Sequence, residues 1–462
     1  MSLSFPPDFI WGSATSSFQI EGASATDGKG PSIWDAFCMI PGKVDNNDHG
    51  QIACDHYHKM KDDVAMMKAM GLKAYRFSIA WPRIFPSGTD EINEKGVQFY
   101  SDLIDTLIEN DIEPWITLFH WDLPLALEIE KDGWLNASII EAFTQYADLC
   151  FERFGGRVKN WITFNEPWVV TVLGYGLGVF APGRISNTEP YIAGHNLLLA
   201  HAKTVALFRE KYQPGQGGRI GITCNCDWRE PASNDPKDIT AAQRALEFML
   251  SWFMDPVYKG RYPDSMIERL GPRLPAFSES EKELLKGSAD FFGLNHYSTM
   301  LVSDAGGHIV EGSVYENGGL LADQDIKLSA DPAWQRTEMG WPIVPWGFRK
   351  LLEWIDERYD RPEIIITENG GAFDDKMING HVDDKPRLNY YKTYLAEAHK
   401  AIGNGVHLGG YFAWSLMDNF EWASGYAKRF GLHYVDFETL ERTPKASAKW
   451  LRKVVAQNGF EE

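Results

Sequence analysis

Lys159-Asn160-Trp161-Ile162-Thr163-Phe164-Asn165-Glu166-Pro167 is an apolar run of strand length that stops abruptly at an amide, an acid and a proline. Trp161, Ile162 and Phe164 break the polar alternation that a sheet facing water would need, so the run reads as a strand buried on both faces. Working outward, seven further runs of this kind lie at residues 10–20, 73–79, 114–120, 219–226, 291–297, 363–367 and 408–415. Helical patterns separate them. Val97, Tyr100, Ile104, Leu107 and Ile108 fall on one helical stripe with Asn93 as its candidate cap, and Ile140, Phe143, Ala147 and Phe151 fall on another. Eight buried strands alternating with helices predict an α/β fold, a closed (β/α)8 TIM barrel rather than an open sheet. No linker or repeat of 20 to 50 residues divides the chain, so residues 1–462 are expected to form one catalytic barrel domain. The Gly-rich segment 303–338 is expected to be a long βα loop over the C-terminal face.

Composition narrows the possible partners. The 462 residues are 44% hydrophobic and 24% charged, as in a globular protein. With 64 acidic against 45 basic residues the net charge is −19, spread along the chain, which argues against nucleic acid and anionic membranes as partners. Residues 1–9 hold no basic residue and no apolar run of signal-peptide length, and the most apolar stretch, 168–182, is shorter than the roughly 18 residues of a membrane helix. A cytoplasmic location is therefore expected. The five cysteines are read as reduced thiols, with Cys224 and Cys226 sharing a strand face as small apolar filler. His56 and His58 would point different ways on a helix, and no phosphate-binding glycine loop or zinc pattern occurs, so neither a metal nor a cofactor is expected. Nothing in the pattern sets an oligomeric state.

Barrel active sites form where strands end. Gln19 closes the first run, Arg76 lies in the second, and His120 closes the third; Asn165 and Glu166 close the fourth, Asn295 and Tyr297 the sixth, Glu368 the seventh and Trp414 the eighth. A barrel serving only as scaffold has no use for so many polar strand ends. Pro167 disfavours a helical Glu166, which is expected to stand extended at the lip of its strand. Asn369, Gly370 and Gly371 supply a turn after Glu368. Two carboxylates on separate strands can then face one cavity, the layout that glycoside hydrolysis requires.

Seven ordered stretches extend the pattern from the first strand to beyond the eighth. They are Phe9-Ile10-Trp11-Gly12 through Gln19-Ile20-Glu21-Gly22, Tyr75-Arg76-Phe77-Ser78, Thr117-Leu118-Phe119-His120-Trp121, Thr163-Phe164-Asn165-Glu166-Pro167, Asn295-His296-Tyr297, Ile366-Thr367-Glu368-Asn369-Gly370, and Trp414-Ser415 to Asn419-Phe420-Glu421-Trp422. Together they resemble glycoside hydrolase family 1, the β-glucosidase and β-galactosidase family. The resemblance implies Glu166 as acid/base and Glu368 as nucleophile, with Arg76 keeping Glu368 ionised while Glu166 stays protonated. It also implies a sugar pocket built from Gln19, His120, Asn165, Asn295, Glu421 and Trp422, with Trp414 as platform, Tyr297 touching Glu368 and Trp341 on the leaving-group side. A non-proline cis bond between Trp414 and Ser415 is implied as well.

On this basis the expected activity is a retaining, exo-acting β-glucosidase of broad specificity, acting on small β-glucosides and cello-oligosaccharides. Alternatives are a 6-phospho-β-glycosidase, a transglycosylase and a barrel that only binds sugar. Glu421 is expected to repel phosphate, although Lys428 lies near, and the presence of both Glu166 and Glu368 argues against a barrel that only binds.

Overall fold

The computed structural model describes residues 2–306 and 320–461. All eight predicted runs form strands: β1 (Ile10–Ala14), β2 (Ala74–Ser78), β3 (Glu113–Phe119), β4 (Asn160–Asn165), β5 (Arg219–Asn225), β6 (Phe292–Asn295), β7 (Ile364–Asn369) and β8 (Leu408–Trp414). They pair in parallel around a closed barrel, with β8 beside β1 completing the ring. Apolar side chains fill its floor: Ala74, Trp115, Ile162, Phe291, Ile365 and Phe412 form one cluster that reaches Ala14 and Trp414 above. Small and large residues face each other there. A Cβ on Gly12 would come within 2.4 Å of the Phe412 ring, so only glycine lets β1 pass that ring.

The helices cover the outside. α1 (Glu94–Glu109) buries Val97, Tyr100, Ile104 and Leu107 as predicted, but Ile108 is 43% exposed, because it lies at the edge of the stripe near the helix end. Asn93 occupies the cap position without capping through its side chain; its amide donates instead to the Asp27 and Arg83 carbonyls. On α2 (Ser138–Phe154) the whole predicted stripe is buried.

Three differences bear on the site. The first strand ends at Ala14, and the rest of its run turns into a four-residue helix, Ser17–Ile20, so Gln19 stands on a helical turn rather than at a strand end. Segment 303–338 is only partly a loop. Its described part includes the strand Ile326–Ser329, which pairs with Thr299–Asp304, and that strand pairs with Trp228–Pro231 in a three-stranded sheet outside the barrel. Residues 307–319 of that segment lie outside the described residues. Finally, Asn369 still belongs to β7, and the chain leaves it through Gly370, where a Cβ would sit 1.9 Å from the Trp414 carbonyl. Close approach to β8, not a positive φ, demands that glycine.

All five cysteines are buried and unpaired, Cys224 and Cys226 among them. His56 is bonded to Asp63, and no group of three metal-binding side chains occurs among the described residues. No helix there is long and apolar enough to cross a membrane.

Candidate active site

Three strands converge on Glu368. Arg76 from β2 donates through Nη1 to Glu368 Oε1 at 2.5 Å, and the Tyr297 hydroxyl, just beyond β6, donates to Oε2 at 2.6 Å. The remaining guanidinium contacts hold the Thr117 hydroxyl, the Thr367 carbonyl and, at 2.6 Å, Asn165 Oδ1. One fully buried cation thus fixes both the carboxylate on β7 and the amide on β4, using the planar fork that lysine lacks.

Glu166 sits just past β4, where its own N–H donates to the Thr223 carbonyl of β5. It is not extended. Its φ of 49° and ψ of 64° are left-handed, with Pro167 opening a short helix behind it. The proline excludes the right-handed helical conformation, as expected, but the escape taken is the left-handed one, which is uncommon for a side chain of this size and is stored where the fold over-determines it. Asn295 Nδ2 donates to Glu166 Oε1 at 2.6 Å and to Asn165 Oδ1 at 3.1 Å.

The two acids differ in electrostatic surroundings. Burial, and then the Glu368 charge beside it, push the Glu166 carboxyl well above the ordinary carboxylate range, with Asn295 and Arg76 pulling the other way. Glu368 is also raised by burial, which Arg76, Tyr297 and Asn295 oppose, so its shift is the smaller. Arg76 was expected to keep Glu368 ionised; it bonds the carboxylate but does not cancel the cost of burial, which leaves Glu368 raised. Glu166 is the acid that keeps its proton, and Glu368 the one that gives it up first.

His120, Asn295, Tyr297, Trp341, Trp414, Glu421 and Trp422 line one cavity of about 110 Å³ with both carboxylates. Gln19, Asn165 and Arg76 stand just behind that lining. The His120 ring is stacked between Trp414 and Trp422, with interplanar angles of 16° and 15°. Asn165 Oδ1 already accepts two bonds, so its Nδ2 faces His120 Nε2 at 3.1 Å, which assigns the imidazole proton to Nδ1. Burial and Arg76 hold that ring well below the usual histidine range, hence neutral. The Gln19 amide donates to Asn419 Oδ1 and the Phe420 carbonyl and reaches Glu421 at 3.4 Å, while Ser16 donates to its oxygen. The Trp414–Ser415 peptide is cis, as implied.

The repulsion of phosphate expected from Glu421 is weaker than its sequence position implies. Burial and the Glu368 charge push Glu421 up to about 8, which weakens the charge it can set against a phosphate near neutral pH. Lys428, for its part, donates to the Glu338 carbonyl.

A second chamber of about 490 Å³ adjoins the first, sharing Leu173, Phe180, Met339 and Trp341 with it and lined also by Val179, Leu328 and Arg336. Segment 303–338, expected to lie over the C-terminal face, contributes Leu328 and Arg336. Asn225 was missed: it ends β5, lines the inner cavity, and its Oδ1 is buried with no hydrogen-bond partner among the described residues. A weak signal was present, since a polar residue, Asn225, stands one place before the end of the fifth run at 219–226. Asn419 and Thr117 lie behind the lining; both stand in the matched stretches, with no role implied for either.

A closed parallel barrel with two buried, unequal carboxyls at the C-terminal ends of β4 and β7 is the architecture of a glycoside hydrolase. The family model for glycosyl hydrolase family 1 matches residues 1–460, and the chain belongs to that family. It is 48% identical over 458 residues to β-glucosidase 42 of Arabidopsis thaliana, covering 97% of this chain and 93% of the relative. It is 46% identical over 465 residues to β-glucosidase A of Thermotoga maritima, covering 99% of each. Among solved structures, a family 1 β-glucosidase from Thermotoga maritima superposes with a TM-score of 0.93 at 44% identity and full coverage of both chains. A mutant rice β-glucosidase in a covalent complex with Glc gives 0.93 at 41% identity, covering 97% of this chain and 99% of the other.

Proposed function

We propose that this enzyme is a retaining, exo-acting β-glucosidase, with residues 1–462 forming one catalytic unit, Glu368 as nucleophile and Glu166 as acid/base. The observation that carries the reading is the unequal holding of the two acids: Glu368 faces a guanidinium and a phenol, whereas Glu166 faces an amide and the other carboxyl. Glu166, protonated, delivers its proton to the glycosidic oxygen as that bond breaks, while Glu368 Oε attacks the anomeric carbon from the opposite face. The positive charge that develops on the ring is met by the Glu368 charge. Once Glu368 is esterified that charge is gone, so the second cause raising Glu166 disappears and its pKa falls. Glu166 then takes a proton from water, which attacks the same carbon and releases sugar with its original configuration.

Asn165, fixed through Oδ1 and donating one Nδ2 hydrogen to His120, has the second Nδ2 hydrogen for the 2-hydroxyl, where a hydrogen bond that tightens in the transition state contributes to rate. Gln19, His120, Glu421 and Trp422 hold the remaining hydroxyls, and Trp414 carries the apolar face of the ring. The covalent Glc complex of the rice relative supports the glycosyl-enzyme route. The Thermotoga β-glucosidase has been solved with galacto-hydroximolactam, which supports a pocket tolerant of the 4-hydroxyl orientation. We therefore assign β-glucosides as substrates, cello-oligosaccharides included, with β-galactosides and β-fucosides accepted. Rates on the p-nitrophenyl glycosides of these three and of 6-phosphoglucose test the sugar assignment; preference for the phosphorylated sugar would overturn it. The roles are tested by Glu368→Gly with azide, which should yield the α-glycosyl azide. A β-azide would reverse the two assignments.

A further inference from the structure

Asp122 has no place in the chemistry above, yet it is fully buried two residues beyond His120. Its Oδ2 accepts the Ser17 hydroxyl at 2.7 Å, and its Oδ1 is buried without a hydrogen-bond partner among the described residues. Ser17 opens the helical turn that carries Gln19, and the neighbouring Ser16 hydroxyl orients the Gln19 amide. The same turn is held a second time, by the Ser17 N–H donating to Ser78 Oγ at 2.7 Å. Phe18, between them, stacks on Trp422 at an interplanar angle of 8°. Between His120 and Asp122 the chain passes through Trp121 at φ 80°, and the Trp121 indole donates to the Asn165 carbonyl. The Ser17–Asp122 contact is therefore a strut between the turn bearing Gln19 and the strand end bearing His120. Burial pushes the Asp122 pKa up to about 7 against the help of Ser17 and Lys29, while Glu21 raises it further; Lys29 is itself paired with Asp35.

We infer that Asp122 is a positioning residue for the sugar site: by accepting the Ser17 hydroxyl it sets Gln19 and His120 at the spacing that the substrate hydroxyls require. The inference rests on the reading of this pocket as a sugar site. It predicts that loss of Asp122 and loss of Gln19 or His120 injure the same step, whereas loss of Trp341, on the leaving-group side, injures another.

The test uses the full chain carrying Asp122→Ala, Asp122→Asn or Ser17→Ala, each alone and combined with Gln19→Ala, His120→Ala or Trp341→Ala. kcat/KM on p-nitrophenyl β-glucoside and the melting temperature are measured for each. Asp122→Ala should lower kcat/KM about tenfold to hundredfold, the range for a hydrogen bond to a charged group. Asp122→Asn, which keeps an acceptor for Ser17, should recover most of that loss. Added to Gln19→Ala or His120→Ala, Asp122→Ala should cost no more than about twofold further, while with Trp341→Ala the losses should multiply. Losses that multiply in every combination, or an asparagine as damaging as the alanine, would overturn the inference, as would unchanged kcat/KM in both Asp122→Ala and Ser17→Ala. If Asp122→Ala does not fold, Ser17→Ala, which removes a single oxygen, is carried through the same combinations and judged by the same outcomes. A wild-type enzyme without activity on β-glucosides would defeat the sugar-site reading and the strut together; activity with multiplying losses would defeat only the strut.

Discussion

Tyr297→Phe removes one atom from the site and tests the electrostatics of the nucleophile. The Tyr297 hydroxyl donates to Glu368 Oε2 at 2.6 Å, and nothing else it does would be lost, since its ring packs on Trp341 and Phe430 through apolar edges. A hydrogen bond to a charged group contributes about 1.5 to 3 kcal/mol, and one pKa unit corresponds to about 1.36 kcal/mol, so Glu368 should rise by about one to two units. The sign follows from which form the phenol stabilises. It bonds the carboxylate, so its loss favours the acid, and protonated Glu368 cannot attack. The acid limb of kcat/KM reports the free enzyme's nucleophile, being the lower of the two coupled ionisations. That limb should move up by about one to two pH units, with activity on its acid side falling about tenfold to hundredfold and the plateau changing much less. Profiles on p-nitrophenyl β-glucoside measured at constant ionic strength decide it. A limb that stays in place, with activity lower by one factor at every pH, would mean that Tyr297 acts on substrate instead, and the account of how Glu368 is kept reactive would fail.

Other perturbations reach other parts of the molecule. Glu166→Gln should leave formation of the glycosyl-enzyme fast with an activated aryl leaving group but slow its hydrolysis about 10²- to 10⁴-fold, visible as a burst of phenol; uniform slowing without a burst would contradict its second role. Lys445→Met removes the cation that bonds Asp375 and Asp418 in a network whose side chains are buried except for the partly exposed Arg429, and which Arg387 and Asp384 complete. Leaving buried acids short of one cation should cost about 3 to 5 kcal/mol, read by thermal or denaturant unfolding; a variant as stable as wild type would refute that. Acid should weaken the same network. Burial alone would raise Asp418, but Lys445, Arg429 and Arg387 bring it below its ordinary value, so its contribution is present above about pH 4 and is lost as pH falls through the lowered value. Lys445 is itself lowered, by burial and by Arg387, so the fold disfavours its charge, whereas three cations act together on Asp418. Asp418→Asn should flatten the loss of stability below about pH 4.

What the sequence revealed follows from the range over which each force acts. Burial on both faces of a strand leaves its mark within six residues, so all eight strands were legible from runs such as 159–165, and strand ends turned toward solvent admit the polar residues that mark the site. Glu166 shows the limit of local reasoning: the clash with Pro167 forbids one conformation, but the choice between the remaining ones is made by β5, whose Thr223 carbonyl takes the Glu166 N–H. Gln19 shows the same limit in another form. Its run reads as one strand through Ile20, but past Ala14 the small polar residues Thr15, Ser16 and Ser17 lead into a helical turn that is also buried, and burial does not distinguish the two.

Charge is less legible still. Asp375, Asp384, Arg387, Asp418, Arg429 and Lys445 read singly as ordinary surface residues, since an ionised side chain in a polar stretch is normally solvated. Only closure of the barrel brings them together, and each tolerates burial because the others are present. The network anchors Asp418 three residues before Glu421, and Asp418 also accepts the N–H of Gly431 on the returning chain. The segment that presents Glu421 and Trp422 to the pocket is thus held from behind by charges recruited from other segments of the chain. A sugar site whose chemistry is announced by two strand ends depends, for the placement of its hydroxyl-binding wall, on electrostatics that no window of the sequence contains.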